Sequence, residues 1–194
     1  MELQEADKLI EFELINKVFN NTKAPYLLLK NGEFKRVKMK EGDFSNSTVK
    51  NTIFSNGDIS NSIWQGGILK NIKYSEMRAT GVDFSDTSGK KLLFKESKVN
   101  ISNFRFAEMK KVTFKECNVS DTDFSHAELN QVTFHNCDLS DLSFANSTLE
   151  DVDIRGSKID NVRITPGAIN SLTIDRSQMS HFLELVNISV KSAP

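Results

Sequence analysis

The chain has 194 residues, of which 38% are hydrophobic and 26% charged, with a formal net charge of −1 at pH 7. That length fits one domain or an elongated object of similar mass, and apolar runs of only a few residues exclude a transmembrane helix. The start, MELQEADKLIEFEL, is acidic and lacks the basic and apolar regions of an export signal. With only two Cys, the expected setting is the reducing cytoplasm.

At the amino terminus, Leu3, Ala6, Leu9, Ile10, Leu14 and Val18 are spaced to line one face of a helix. Pro25 then precedes an expected strand, Tyr26 to Lys30. Residues 1–28 are therefore predicted to be a capping segment, helical and then extended.

From Phe34 a period of five takes over. Alternate centres are aromatic: Phe34, Phe44, Phe54, Trp64, Tyr74, Phe84, Phe94, Phe104, Phe114, Phe124, Phe134 and Phe144, with mostly aliphatic residues midway between them. Neither the helical period of 3.6 nor the strand period of 2 explains this. Small or β-branched residues stand two before most centres, Cys117 and Cys137 among them. Two inward side chains separated by an outward one make a short extended step. The remaining two residues must turn the chain, so each unit is one side of a polygonal coil. The preference for Phe, 14 against one Trp and two Tyr, suits stereotyped interior slots with no polar group to satisfy.

The number of sides follows from KKVTFKECNVSDTDFSHAEL, residues 110–129, and NQVTFHNCDLSDLSFANSTL, residues 130–149. A shift of twenty gives eight identities, and a shift of ten onto residues 120–139 gives three. Four units therefore close a coil, residue i stacks on i+20, and residues 29–174 are predicted to form an all-β solenoid. From Phe34 onward the units make about 7.5 coils of twenty. Ala79 and Gly89 leave centres empty, and Asp86-Thr87-Ser88-Gly89-Lys90-Lys91 reads as a bulge or small loop. Pro166-Gly167 is expected to distort a late coil, since Pro cannot donate to a ladder. Asp175 or Ser177 is expected to N-cap a helix containing Met179, Phe182, Leu183 and Val186, with residues 175–194 forming the second cap.

Units such as Gly42-Asp43-Phe44-Ser45-Asn46, Thr122-Asp123-Phe124-Ser125-His126 and Cys137-Asp138-Leu139-Ser140-Asp141 resemble the pentapeptide-repeat consensus, A(D/N)Lxx. The resemblance implies a right-handed quadrilateral β-helix. Leu149-Glu150-Asp151-Val152-Asp153-Ile154-Arg155-Gly156-Ser157 and the tail 177–188 resemble the closing segments of quinolone-resistance (Qnr) pentapeptide proteins. That resemblance implies a homodimer joined end to end through Met179, Phe182, Leu183 and Val186. It also implies a partner in DNA gyrase or topoisomerase IV and, for some members, likeness to the shape and charge of duplex DNA.

No enzyme is expected. No phosphate loop, GxGxxG or HExxH occurs, the three His are scattered, and a convex rod offers no water-excluding pocket. Cys117 and Cys137 are expected to stack as packing residues, without metal or disulfide, and no cofactor is expected. Charge is unevenly spread. Residues 89–115 carry Lys90, Lys91, Lys95, Lys98, Arg105, Lys110, Lys111 and Lys115 against Glu96 and Glu108. Residues 120–163 carry Asp121, Asp123, Glu128, Asp138, Asp141, Glu150, Asp151, Asp153 and Asp160 against Arg155, Lys158 and Arg163. Because sequence order maps to height in a solenoid, these predict a basic belt beside an acidic belt, a candidate surface for steering a protein partner. A scaffold for another cytoplasmic protein is the alternative to a topoisomerase modulator. Direct nucleic-acid binding through the basic belt is the weaker third reading, since the acidic belt opposes it.

Overall fold

The computed structural model describes residues 2–185. Each five-residue unit is closed by the same local devices. The centre and the residue two before it are buried, as with Phe104 and Ser102. Between them stands an outward residue, and where it is Asp or Asn it often forms an Asx turn. Its side-chain oxygen accepts the backbone N–H two residues on: Asp43 from Ser45 at 3.0 Å, Asn103 from Arg105 at 3.0 Å, Asp123 from Ser125 at 2.8 Å. The corner is completed by a left-handed residue. φ lies between 50° and 72° at every fifth position from Ala6 to Asn161, without a break.

A corner every five residues brings the chain back over itself after twenty. Strands β1 (Lys8–Ile10) and β2 (Glu13–Ile15) pair in parallel with β3 (Leu28–Lys35). The ladder then runs through β4 (Thr48–Ser55), β5 (Ile68–Ser75), β6 (Ser88–Lys95), β7 (Glu108–Lys115) and β8 (Glu128–His135). Phe34 pairs with Phe54, Tyr74 with Phe94 and Phe114 with Phe134. Each of β3 to β8 bends through one corner and so serves two of the four walls. Single bridges such as Lys38 to Asp58 and Asp43 to Ile63 hold the other two. Short strands β9 (Ser143–Phe144), β10 (Thr148–Glu150), β11 (Val152–Asp153), β12 (Arg163–Ile164) and β13 (Leu172–Thr173) finish the stack. The result is a quadrilateral parallel β-helix of about eight coils, its walls named here by their first regular centres: Leu29, Phe34, Met39 and Phe44.

The interior holds two columns of rings beside two of mostly aliphatic side chains, headed by Leu29 and Met39. Phe34, Phe54, Tyr74, Phe94, Phe114 and Phe134 stack with centroids 4.5 to 5.0 Å apart. In the other column Phe84, Phe104 and Phe124 stack at 5.0 and 4.6 Å. The columns meet edge to face, as with Phe104 and Phe114 at 6.3 Å, the second geometry that ring quadrupoles favour. Cys117 and Cys137 are buried free thiols on the small inward position. The hydrogen bond with neighbouring Cys117 and then burial push the Cys137 thiol up, disfavouring the thiolate.

Two expectations are corrected. Residues 2–28 form no helix, and coiling begins at the first residues described. Leu14, Phe19, Ala24 and Leu29 already keep the five-residue frame and are buried, whereas Ala6, Ile10 and Val18 face out. The amides a helix would have used donate instead to the next coil: Ala6 to Pro25, Glu11 to Lys30 and Phe19 to Lys38. Pairing with an otherwise open sheet edge outweighs a weak helical pattern. The amino-terminal plug is Phe12, whose ring meets Phe34 edge to face at 5.0 Å and fills the space beside Gly32 that a Cβ would occupy. Secondly, Asp86–Lys91 is neither bulge nor loop: β6 keeps register with β5 and β7 throughout. The Met109 side chain folds into the void left by Gly89, so the empty centre is filled from the coil below.

Pro166 does break the ladder, starting a 3-10 turn over Pro166–Ser171. Asp175 then caps Arg176–Gln178 through a capping box, leading into helix α1 (Met179–Leu185). Phe182 is buried against this rod's own core, whereas Met179, 46% exposed, presents a large apolar side chain outward; Leu183 is half-buried. Val186 lies outside the described residues. Gln178 is buried and donates to the Ile154 and Ser157 carbonyls, each at 2.8 Å, sealing the last coil. Replacing Phe104 with Ala is expected to lower stability by about 3–5 kcal/mol, read as a shifted midpoint in urea unfolding followed by circular dichroism. A shift below about 1 kcal/mol would mean that the column is not close-packed.

Candidate partner-binding walls

With the interior filled by side chains, the charged residues lie on the four walls, and the period of twenty decides which of them meet. The basic belt does not form one patch. Lys90 and Lys110 sit on the Leu29 wall, with Lys91 and Lys111 at its corner. Lys95 and Lys115 lie on the Phe34 wall, Lys98 on the Met39 wall and Arg105 on the Phe44 wall. Three of these are ion-paired: Lys95 with Glu96 at 2.9 Å, Lys115 with Glu116 at 3.8 Å and Arg105 with Asp123 at 3.5 Å.

The acidic belt is likewise dispersed, and part of it is structural. Asp123, Asp138 and Asp153 are Asx-turn residues whose carboxylates hold backbone N–H groups. Asp153 also forms a two-pronged pair with the Arg155 guanidinium. Asp121, Asp141 and Asp151 occupy left-handed corners. Asp141 accepts from Asn161, Glu150 from Asn130, and Asp160 pairs with Lys158 at 3.2 Å. Glu128 stands on the Leu29 wall in register with Glu108.

Two surface features escaped the belt reading. One is a column of lysines on the Leu29 wall, Lys30, Lys50, Lys70, Lys90 and Lys110, each directly opposite the next in the ladder. Its signal in the sequence is Lys recurring at a spacing of twenty. The other is a pair of exposed apolar corners, Ile101 and Phe106, both at φ 58°. Large side chains are disfavoured there, so an apolar residue where Asn or Gly usually stands is the mark. Phe106 stacks on His126 at 5.1 Å, and the Arg105 guanidinium lies 5.5 Å from its ring centroid. Among the described residues no helix is long and apolar enough to cross a membrane.

A four-walled parallel solenoid built from five-residue units, with packed centres and variable walls, defines a repeat protein whose individuality is on its surface. The model described as pentapeptide repeat region matches residues 90–164 and 107–182, so this part of the chain is similar to the pentapeptide-repeat proteins. No curated protein matches its sequence. Among solved structures it is similar to a trypsin-treated form of QnrB1, a plasmid-mediated fluoroquinolone resistance protein. That match has 17% identity and a TM-score of 0.49, covering 99% of this chain and 100% of the other. It is also similar to HetL, a pentapeptide repeat protein involved in heterocyst differentiation regulation from the cyanobacterium Nostoc. There the identity is 15% and the TM-score 0.45, over 82% of this chain and 85% of HetL.

The turn-forming acids make a testable contribution to stability. The Ser140 hydroxyl, at 2.6 Å, and then the Ser140 N–H hold the Asp138 carboxyl below its ordinary value of 3.8. A depressed carboxyl stabilises the fold above its unfolded value, and that contribution is lost as pH falls through the folded one. Stability should therefore decline below about pH 4 more steeply in the wild type than in Asp138→Asn. Denaturant midpoints across that range measure this; parallel curves would remove the charged turn as a contributor.

Proposed function

We propose that this protein is a non-enzymatic, protein-binding rod acting in the cytoplasm. One observation carries the reading: inward positions hold packed apolar and hydroxyl side chains, and among the described residues no buried side-chain polar atom lacks a partner. Nothing inside is left over for chemistry, so recognition falls to the walls. The narrower reading is a Qnr-like modulator or protector of DNA gyrase or topoisomerase IV, working through partial mimicry of duplex DNA. It is supported by the resemblance of residues 149–157 and 177–188 to Qnr closing segments. In this chain the first of those segments builds the end of the rod: Gly156, at φ 72°, donates its N–H to Asp175, the residue that caps the closing turn.

The lysine column favours a second reading, a scaffold for another cytoplasmic protein, because a DNA mimic presents the opposite charge. Gyrase supercoiling and quinolone-induced cleavage assays with the purified protein separate the two. The topoisomerase reading expects altered supercoiling or reduced cleavage. No change at concentrations on the order of tens of micromolar would remove it.

The same proposal includes a homodimer joined through α1. Since Phe182 is committed to its own rod, the exposed Met179 is the residue to alter. Met179→Asp should halve the mass seen by light scattering while leaving the circular dichroism unchanged. A wild type of monomer mass would dismiss the end-to-end interface.

A further inference from the structure

The Leu29 wall places like charges where a sheet tolerates them poorly. Lys30, Lys50, Lys70, Lys90 and Lys110 are consecutive cross-strand partners, about 4.8 Å apart along the rod, and like charges directly opposite are destabilising. The adjoining Phe34 wall solves the same problem internally, since Lys95 and Lys115 each have a glutamate beside them at the corner. On the Leu29 wall the corner carries Asn31, Asn51, Asn71, Lys91 and Lys111 in place of a glutamate, and Glu108 flanks the column only at its lower end, beside Lys90 and Lys110. Among the described residues none of the five ammonium groups lies within 4 Å of a carboxylate. Lys91 and Lys111 add two more cations at the corner beside them.

The column has a definite length and a definite flank. It spans roughly 19 Å and ends at Asn130, beyond which Glu150 occupies the same position. Around the corner, on the Phe34 wall, exposed Ile53 and half-buried Leu93 stand on either side of Lys73 in the ladder, and with Asn51, Asn71 and Lys91 these three line a shallow groove of about 380 Å³. The floor of this corner is fixed by amide-to-amide bonds, Asn51 to Asn31 and Asn71 to Asn51, both 2.9 Å. The left-handed corner residues Asn51, Asn71 and Lys91 stand between the lysine column and the Ile53–Leu93 line, so the two lie on adjoining walls. Along the rod, the helical pitch of about 5.4 Å is near the coil spacing of about 4.8 Å.

We infer that the Leu29 wall, together with its corner onto the Phe34 wall, is the docking face for an acidic amphipathic helix of a partner protein. The helix lies along the rod with carboxylates over Lys30 to Lys110 and aliphatic side chains in the Ile53–Leu93 groove. The inference rests on the protein-binding reading but on no particular partner. Single-stranded nucleic acid fits less well, because the outward residues of this wall between Leu28 and Lys111 include no aromatic on which bases would stack. A duplex fits less well because Glu128, Glu150 and Asp151 continue the same wall with the wrong sign. Aliphatic shoulders have no counterpart in a phosphate backbone.

The test is fluorescence anisotropy with a labelled amphipathic helix about 16 residues long, Glu along one edge and Leu beside it. A scrambled peptide of identical composition and a short DNA duplex are titrated in parallel. Lys50→Gln/Lys70→Gln should weaken binding of the ordered peptide by about tenfold or more at low salt. Lys95→Gln/Lys115→Gln, which removes the same net charge from the neighbouring wall, should change it less than about threefold. Absence of binding, equal losses in both variants, equal affinity for the scrambled peptide, or tighter column-dependent binding of the duplex would each overturn the inference. The readings fail separately: inertness towards gyrase leaves the peptide titration intact, and a failed titration leaves the supercoiling result standing.

Discussion

The structure depends on one backbone constraint, the left-handed residue that recurs at every fifth position. Without it a two-residue inward step would continue as an ordinary strand and present its next side chains to water. With it the chain turns about a quarter of a circle per unit, and four turns bring residue i over i+20. Backbone amides on the long-strand walls then find acceptors in the neighbouring coil, and buried side chains stack on their own kind. The αL conformation costs most residues roughly 1–2 kcal/mol, so the frame survives only because stacking and cross-coil hydrogen bonds return more than each corner takes. Asn, Asp and Gly reduce that cost at many corners, and the Asx turn one step earlier aims the chain into the bend.

That constraint assigns tasks to side chains before function has any say. Inward centres must be large and apolar, the second inward position small, and the outward residue between them is favoured as Asp or Asn. Acidity on such a rod is therefore partly architectural: Asp123, Asp138 and Asp153 hold turns, and their charges are spoken for by backbone donors or by Arg155. Lysine has no corresponding role in the coil. A run of lysines in ladder register answers to no requirement of the fold, which is why the Leu29 wall reads as a surface shaped by something outside the molecule. The apolar corners Ile101 and Phe106 stand out by the same reasoning, since the conformation they adopt suits neither of them.

The ends show how open ladders are closed by different means. At the amino terminus the coil simply begins, and Phe12 plugs it through space left by Gly32. At the carboxy terminus Pro166 interrupts the ladder, and buried Gln178 satisfies two carbonyls that another coil would have taken. Phe182, placed by a short helix, covers the last apolar layer.

The sequence by itself determined the frame, the coil length and the identity of the core. A five-residue period and a twenty-residue echo have few physical solutions, and stacked Phe and Cys slots follow from counting. The closing cap was legible too, because Asp175, Ser177 and Gln178 form a local motif. Tertiary structure alone decided the rest. Leu9 and Leu14 belong to a helical spacing and to the five-residue frame at once, and only the presence of the next coil's edge makes the second win. Gly89 looked like a gap because the Met109 side chain that fills it is twenty residues away. The charged belts looked coherent because linear order reports height along the rod but not which wall a residue faces. Neighbourhood on this surface is set by position within the coil, so charges adjacent in sequence part company and lysines twenty apart become a single column.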